Sequence, residues 1–506
     1  MSLSIHDSGA DRPCPAPFNL AAHVLRQAAT RPDAVALEVV GGAADTVWTY
    51  AQLQAAVLGI ATGLSRLGLS PGDRILMRLG NSIDFPLLYL GAMAADLVPI
   101  PTSPQLTTAE IGKLSDLVTP AIVAAAPGVA LPERDLPILT LDALRAMRDL
   151  PAMQPVLGDP NRPGYIVFSS GTSGAARAVA HAHRAIWARR DMVDGWYELS
   201  AEDRLLHAGA FNWTYTMGTG LMDPWSVGAT ALIPAEGLPA DRLPALLAKH
   251  EVTLFAAAPG VFRQILKASE LPALPHLRHG LSAGEKLPDI TRDRWAQMTG
   301  TAIHEAYGMS ECSTFVSGSP SSPAPFGTLG RPQPGRRVAV LGSDGPVPRN
   351  TAGELAVSDR DPGLMLGYLN DPEATRARRR GEWFLTGDMA SMDDSGALTY
   401  LGRDDDLMNA GGFRVSPLEV EDVLTGFPGV IEAAAAEISV KADASIIAAF
   451  YVAPDDLDAD ALAAHCAQSL ARYKCPRSFI RLPVLPRGAN GKLLRRQLRH
   501  DHSRKA

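Results

Sequence analysis

Apolar and polar positions follow two rhythms along the first 125 residues. Residues 19–29 repeat their apolar side chains at helical spacing, and so do residues 51–67, which stop at Gly68. Residues 47–50 and 75–77 read as short strands, the second after the turn Pro71-Gly-Asp-Arg74. Residues 85–101 are apolar almost throughout, broken by Asp96 and closed by two prolines. They read as a buried helix running into a strand, too short and too interrupted to span a bilayer. Helix, turn and strand keep alternating to Ala125, which predicts an α/β fold with a parallel sheet. Residues 126–163, rich in Pro and Leu, read as a peripheral excursion.

Beyond it, Tyr165-Ile-Val-Phe-Ser169 is a short β-rich apolar run bounded by turn residues. His181 and His183 alternate on one strand ahead of a helix reaching about Tyr197. The two could form a metal pair, but no third ligand is nearby, and buried or edge histidines are the better reading. Residues 208–220 mix glycines with aromatics and lead into Leu221-Met-Asp-Pro-Trp225. That composition suits a pocket wall or a tightly packed helix start. Asp223 could cap a helix or meet a polar substrate group. Further short strands are expected at 254–258 and 279–283.

The composition shifts after Gly402. Arg403-Asp-Asp-Asp406 ahead of Gly411 and Gly412 suits an exposed hinge, and the last hundred or so residues read as a small α+β domain. The expected domains are 1–402 and 403–506. A chain of 506 residues exceeds one core in any case. Its formal charge of −7 argues against a nucleic-acid binder. The one basic run, Arg376-Ala-Arg-Arg-Arg380, reads as a solvated helix face. The first eleven residues lack the apolar stretch of a signal peptide. Cys14, Cys312, Cys466 and Cys475 are scattered, with no C-x-x-C pair, which fits a reducing compartment and a cytoplasmic location. The oligomeric state is left open, a homodimer included.

Candidate chemistry begins at the end of the 165–169 strand. Ser169, Ser170, Gly171, Thr172, Ser173 and Gly174 are hydroxyl residues and glycines only, and Arg177 follows. Hydroxyls and free N–H groups can wrap a phosphate chain, and the two glycines let backbone come close. A polar surface turn has the same composition. The run matches neither a Walker A loop nor the dinucleotide fingerprint. Elsewhere stand Ser282-Ala-Gly-Glu-Lys286, Tyr307-Gly-Met-Ser-Glu311, Trp383-Phe-Leu-Thr-Gly-Asp388, Gly402-Arg403 and Pro486-Arg-Gly-Ala-Asn-Gly-Lys492. Each is weak alone, but their number, order and spacing are not.

This set resembles the adenylate-forming superfamily of acyl-CoA synthetases, luciferases and peptide-synthetase adenylation domains, from about Phe18 to Arg496. Within it, Ser282-Ala-Gly-Glu285 looks most like benzoate-CoA ligases and related aryl or medium-chain acyl-CoA ligases. The resemblance implies a large N-terminal domain of parallel sheets flanked by helices, with a small β subdomain, and a small mobile α+β C-terminal domain. It implies ATP, Mg²⁺ and coenzyme A, with a small carboxylic acid as the other substrate. Ser169 to Gly174 and Arg177 would hold the β- and γ-phosphates. Gly284 and Glu285 would lie against adenine, with Tyr307 stacked on it and Gly308 beside it. Ser310 would meet the α-phosphate, and Glu311 would hold Mg²⁺. Asp388 and Arg403 would take the ribose, and Asp405 would be the hinge. Gly411, Gly412 and Arg414 would border the CoA channel, and Lys492 would serve adenylation. Phe211, Trp213, Tyr215 and Gly218, with Gly220, would line the acyl pocket, and the indole of Trp213 would suit an aromatic or short-to-medium acid.

Two departures stand out. The superfamily loop usually ends Pro-Lys-Gly, where this chain has Ala176, Arg177 and Ala178; Arg keeps the charge but is not a free exchange for Lys. Near Lys492, Gly488 and Asn490 replace hydroxyl residues. The implied activity is an acid–thiol ligase. Two alternatives remain at this point: a stand-alone enzyme loading a carrier protein, and a degenerate adenylate-binding protein, the reading that Arg177 favours.

Overall fold

The computed structural model describes residues 2–7, 13–42, 45–170, 176–403, 406, 408–410, 413–441, 444–488 and 493–503. The chain divides into two compact units. The larger takes residues 6–338 and 357–384; the smaller takes residues 1–5, 339–356 and 385–506.

In the larger unit the alternation of helix and strand builds a nine-stranded sheet. Its six central strands, Ile303–Met309, His279–Ala283, Leu254–Ala257, Arg204–His207, Thr230–Pro234 and Val35–Val40, are all parallel. Parallel strands are covered on both faces, which is why they read as apolar runs and not as alternating ones. On one face Phe255, Phe262 and Trp295 pack together, with Phe262 edge-on to Trp295 at 4.9 Å. On the other lie Trp196, Tyr197, Leu205, Leu254 and Leu281. Because these strands run the same way, their carboxyl ends gather along one edge, where open α/β sheets hold their ligands.

A second sheet, again parallel, orders Val98–Pro101, Arg74–Arg78, Ile122–Ala125 and Ile138–Thr140. The helix Tyr50–Ser65 opens on a capping box between Thr49 and Gln52. Asp84–Ala94, buried all round, runs into Val98–Pro101 as its apolar sequence predicts. The excursion at 126–163 is more than peripheral. It supplies the edge strand Ile138–Thr140, and its Arg145 and Arg148 pair with the buried Asp84. A strand of three residues is too short to show a period. The run at 165–169 belongs to the strand Pro163–Ser170, which forms an antiparallel hairpin with Ala176–Ala182; Gly367–Tyr368 adds a third strand to the latter. Ile166, Ala178 and Ala180 of this hairpin share a core with Leu76, Val98 and Ile100.

In the smaller unit, residues 388–392 at the end of the strand Trp383–Met392 pair with Leu398–Arg403, which sets Asp388 opposite Arg403. Further on, Glu432–Lys441 and Ala444–Val452 pair antiparallel, and Ser478–Arg481 joins the latter in parallel. The helices Pro417–Thr425, Ala459–Ser469 and Arg495–His502 complete the expected α+β portion. One buried ion pair ties it together. Arg495 grips both carboxylate oxygens of Glu421 at 3.0 and 2.7 Å, and Glu421 also accepts from the Ala435 N–H at 2.8 Å. The four cysteines are free thiols. Among the described residues no helix is long and apolar enough to cross a membrane.

Glu421→Ala should leave the Arg495 guanidinium with only its longer pairing to Asp406, at 3.7 Å, at a cost of up to about 3–5 kcal/mol. Calorimetry should show an earlier unfolding transition, whereas Glu419→Ala, which removes the more exposed partner of Lys474, should shift it little. Equal shifts would remove the Glu421–Arg495 pair from its structural role.

Candidate active site

Several expected site residues of the larger unit lie along the carboxyl edge of its main sheet. Gly284 and Glu285 follow directly on His279–Ala283, and Glu285 Oε1 is 3.8 Å from Arg263 Nη2. Tyr307 and Gly308 end the strand Ile303–Met309, which turns back antiparallel into Ser313–Ser317 with a register shift between them. A side chain at Gly308 would run into the Ser313 carbonyl, so the close return of the chain requires glycine there. The Tyr307 ring stands edge-on to Phe315 at 5.4 Å.

The turn that carries Ser310 and Glu311 is held from outside its own sequence. His181 Nε2 donates to the Ser310 carbonyl at 2.7 Å. The His181 ring is stacked on Tyr165 at 4.8 Å, and burial pushes its pKa down to about 4. His183 Nδ1 accepts from the Leu20 N–H at 3.0 Å, and burial pushes it down to about 3. Both are buried histidines bonded to the backbone, in line with the buried reading.

Glu311 itself is held at two points by one segment. The Met365 N–H donates to the Glu311 carbonyl at 2.8 Å, and the Tyr368 hydroxyl donates to Glu311 Oε1 at 2.7 Å. Burial first, then the Glu311 carboxylate, push the Tyr368 phenol up to about 12, so it keeps its proton and donates at neutral pH. The guanidinium of Arg177 lies 5.0 Å from the centroid of the same ring. Ser169 pairs with Arg177 across the hairpin, and Ser170 with Ala176. The loop between them, Gly171, Thr172, Ser173 and Gly174, lies outside the described residues. Tyr368 was not marked by the sequence; Gly367-Tyr-Leu-Asn370 has the composition of an ordinary turn.

A divalent cation fits this carboxylate on chemical grounds. Among the described residues no three His, Cys, Asp or Glu side chains converge to hold a metal by themselves. Mg²⁺ characteristically takes one or two carboxylates and completes its shell from substrate phosphates and water. Glu311, fixed by the Tyr368 hydroxyl on the ring that also meets Arg177, offers one such carboxylate.

The expected acyl-pocket residues divide. Phe211 is buried against Phe85 at 5.7 Å, with its N–H bonded to Asn81. Trp213, half-buried, precedes the short helix Thr214–Met217. Tyr215 donates to the Leu281 carbonyl at 3.1 Å, at the sheet's carboxyl edge. Gly218 backs onto Arg189, which also explains Asp223. Arg189 and Asp223 form a buried ion pair at 2.6 Å, joined by the Tyr197 hydroxyl at 2.8 Å from Asp223 and by Ser313. Against the cost of burial, the Asp223 carboxylate holds the guanidinium above its ordinary value. Asp223 is therefore the partner of a buried cation. It belongs to neither of the roles its sequence context offered.

In the smaller unit, Arg403 Nε lies 3.6 Å from Asp388 Oδ1, and the Tyr400 hydroxyl donates to that oxygen at 3.3 Å. Tyr400 is a further neighbour that the sequence did not mark. Arg414 is on the strand Phe413–Val415. Asp405, Gly411, Gly412 and Lys492 lie outside the described residues.

Residues 24–369 match the family model described as AMP-binding enzyme, and residues 419–492 match the AMP-binding enzyme C-terminal domain. The chain belongs to the AMP-binding enzyme family. It is 31% identical to benzoate–CoA ligase of Thauera aromatica over 89% of this chain and 90% of that one. It is 30% identical to the mitochondrial acyl-coenzyme A synthetase ACSM5 of Mus musculus, over 97% and 92%. The crystal structure of a benzoate CoA ligase from Burkholderia xenovorans LB400 superposes with a TM-score of 0.86 at 28% identity, covering 95% of this chain and all of that one. The large and small parts of this AMP-binding enzyme thus follow a known α/β architecture.

In this AMP-binding enzyme Gly218 has a specific duty. A methyl group there would collide with the Arg189 guanidinium, which Asp223 and Ser313 hold in place. Gly218→Ala should therefore destabilise the larger unit by about 1–3 kcal/mol. Gly260→Ala is the matched control, because its new methyl would meet only Arg263 Nη2, at 3.6 Å. Thermal unfolding should show a lowered midpoint for the first and an unchanged or raised one for the second; a drop confined to the control would contradict the packing described.

Proposed function

We propose that this AMP-binding enzyme is an AMP-forming acid–thiol ligase. A carboxylic acid attacks the α-phosphorus of ATP, forming acyl-adenylate and releasing pyrophosphate. The thiol of coenzyme A then attacks the activated carbonyl, and AMP leaves. The observation that carries the reading is the meeting of Arg177 and the Glu311 carboxylate on the ring and hydroxyl of Tyr368. A cation and a carboxylate meeting on one tyrosine, where the hairpin pairs Ser169 with Arg177, suit a magnesium–polyphosphate. Bound at Glu311, Mg²⁺ would neutralise phosphate charge. Arg177 would bind the outer phosphates, and Tyr307 would cover the adenine. In the smaller unit the reading gives Asp388 and Arg403 the ribose, Lys492 the charge needed in the first step, and Gly411 and Gly412 the thiol's path. The bounds 1–402 and 403–506, with a pivot at Asp405, belong to the same proposal.

The benzoate–CoA ligase among its relatives and the bulk of Trp213 support an aromatic or short-to-medium acid. The direct test is a panel of carboxylic acids assayed for acid-dependent release of pyrophosphate and AMP. ADP formation, or no response to any acid, would overturn the reading.

With an accepted acid in hand, Glu311→Gln should lower the adenylation rate by about 10²-fold, the scale on which one preorganised charged group acts. An unchanged rate would remove Glu311 from the metal role. Lys492→Ala should nearly abolish adenylate formation from acid and ATP, because two anions then meet without that cation. It should largely spare thioester formation from supplied acyl-adenylate and CoA. Timing each half-reaction separately checks this, and equal losses in both would contradict the assignment.

A further inference from the structure

Tyr368 touches two groups to which the proposed function gives separate tasks. Its position is closely determined. Its N–H donates to Thr375 Oγ1 at 2.9 Å, and its strand pairs Tyr368 with Val179 of the hairpin. On either side, the Leu366 N–H donates to the Ala180 carbonyl at 2.7 Å, and the Leu369 N–H to the Ala178 carbonyl at 2.8 Å. Upstream, the segment is pinned by Asp361, which accepts from the Gly363 N–H at 2.7 Å and pairs with the fully buried Arg336. One stretch of chain is thus bonded to the phosphate hairpin on one side and to Glu311 on the other.

We propose that Tyr368 is a positioning residue that sets the Glu311 carboxylate and the Arg177 guanidinium in place before nucleotide binds. The hydroxyl fixes the carboxylate, at 2.7 Å from Oε1, and the ring face holds the guanidinium, 5.0 Å from its centroid. Both are long side chains with many rotamers, and ordering them only on binding would cost affinity. The arrangement also gives a reason for arginine where the superfamily usually has lysine. A planar guanidinium lies flat on an aromatic ring, while a compact ammonium is more strongly hydrated. The inference rests on Glu311 as the metal carboxylate and Arg177 as the phosphate cation.

Binding of a non-hydrolysable ATP analogue to the full chain, by calorimetry with Mg²⁺ and with chelator, tests it without turnover. The quantity of interest is the gain in affinity that Mg²⁺ brings. Tyr368→Phe keeps the ring and its packing and loses only the hydroxyl. It should reduce that gain roughly three- to tenfold, as expected for one side chain left unordered, and leave metal-free binding as in the wild type. Tyr368→Leu, which also loses the ring face, should weaken metal-free binding as well. Glu311→Gln separates the two levels of the argument. If it leaves the Mg²⁺ gain intact, the metal reading of Glu311 fails. If it removes the gain while Tyr368→Phe keeps the full wild-type value, the positioning role of Tyr368 is overturned and the metal reading stands.

Discussion

The larger unit is arranged around one tight return of the chain, where Ile303–Met309 turns back into Ser313–Ser317. Gly308 makes the return sterically possible, and it throws Ser310 and Glu311 out at the carboxyl edge of the sheet. A turn of this kind exposes backbone groups that no sheet ladder satisfies, and buried ones must find partners. His181 from the hairpin takes the Ser310 carbonyl, and Met365 takes that of Glu311. The bonds that stabilise the turn therefore also fix it to the hairpin carrying Ser169 and Arg177. Fold stability and site geometry here depend on the same interactions.

Buried charge is used in the same way. Arg189 with Asp223, and Arg336 with Asp361, are ion pairs with almost no exposure to water. Such pairs add little net stability over apolar replacements, but breaking one is costly, so they strongly penalise alternative arrangements. Arg189 also reaches Ser313, one of the residues of the return, and lies behind Gly218 of the expected acyl wall.

Much of the fold was legible because local pattern decides it. The helical repeat of apolar residues at 51–67 announces the helix Tyr50–Ser65, and the apolar stretch 85–101, interrupted at Asp96, announces a buried helix running into Val98–Pro101. The motif residues Tyr307 to Glu311 and Ser169 were legible through their order along the chain. What was not legible depends on pairing across long separations. Tyr368 meets Glu311 from 57 residues away, and Arg189 meets Asp223 from 34. Neither contact leaves a trace in periodicity or composition. Asp223 looked like a helix cap or a substrate contact because the sequence near it cannot reveal a buried arginine. The strand Ile138–Thr140 was hidden for a different reason, its brevity amid Pro- and Leu-rich chain.

The central claim is that a carboxylate oxygen attacks the α-phosphorus of ATP, and oxygen labelling follows that bond most directly. An accepted acid carrying ¹⁸O in its carboxyl group is turned over with ATP, Mg²⁺ and coenzyme A, and the products are weighed by mass spectrometry. The account predicts one labelled oxygen in AMP, none in pyrophosphate, and the acyl group recovered as its CoA thioester. Label in pyrophosphate or phosphate, or unlabelled AMP beside labelled thioester, would contradict it.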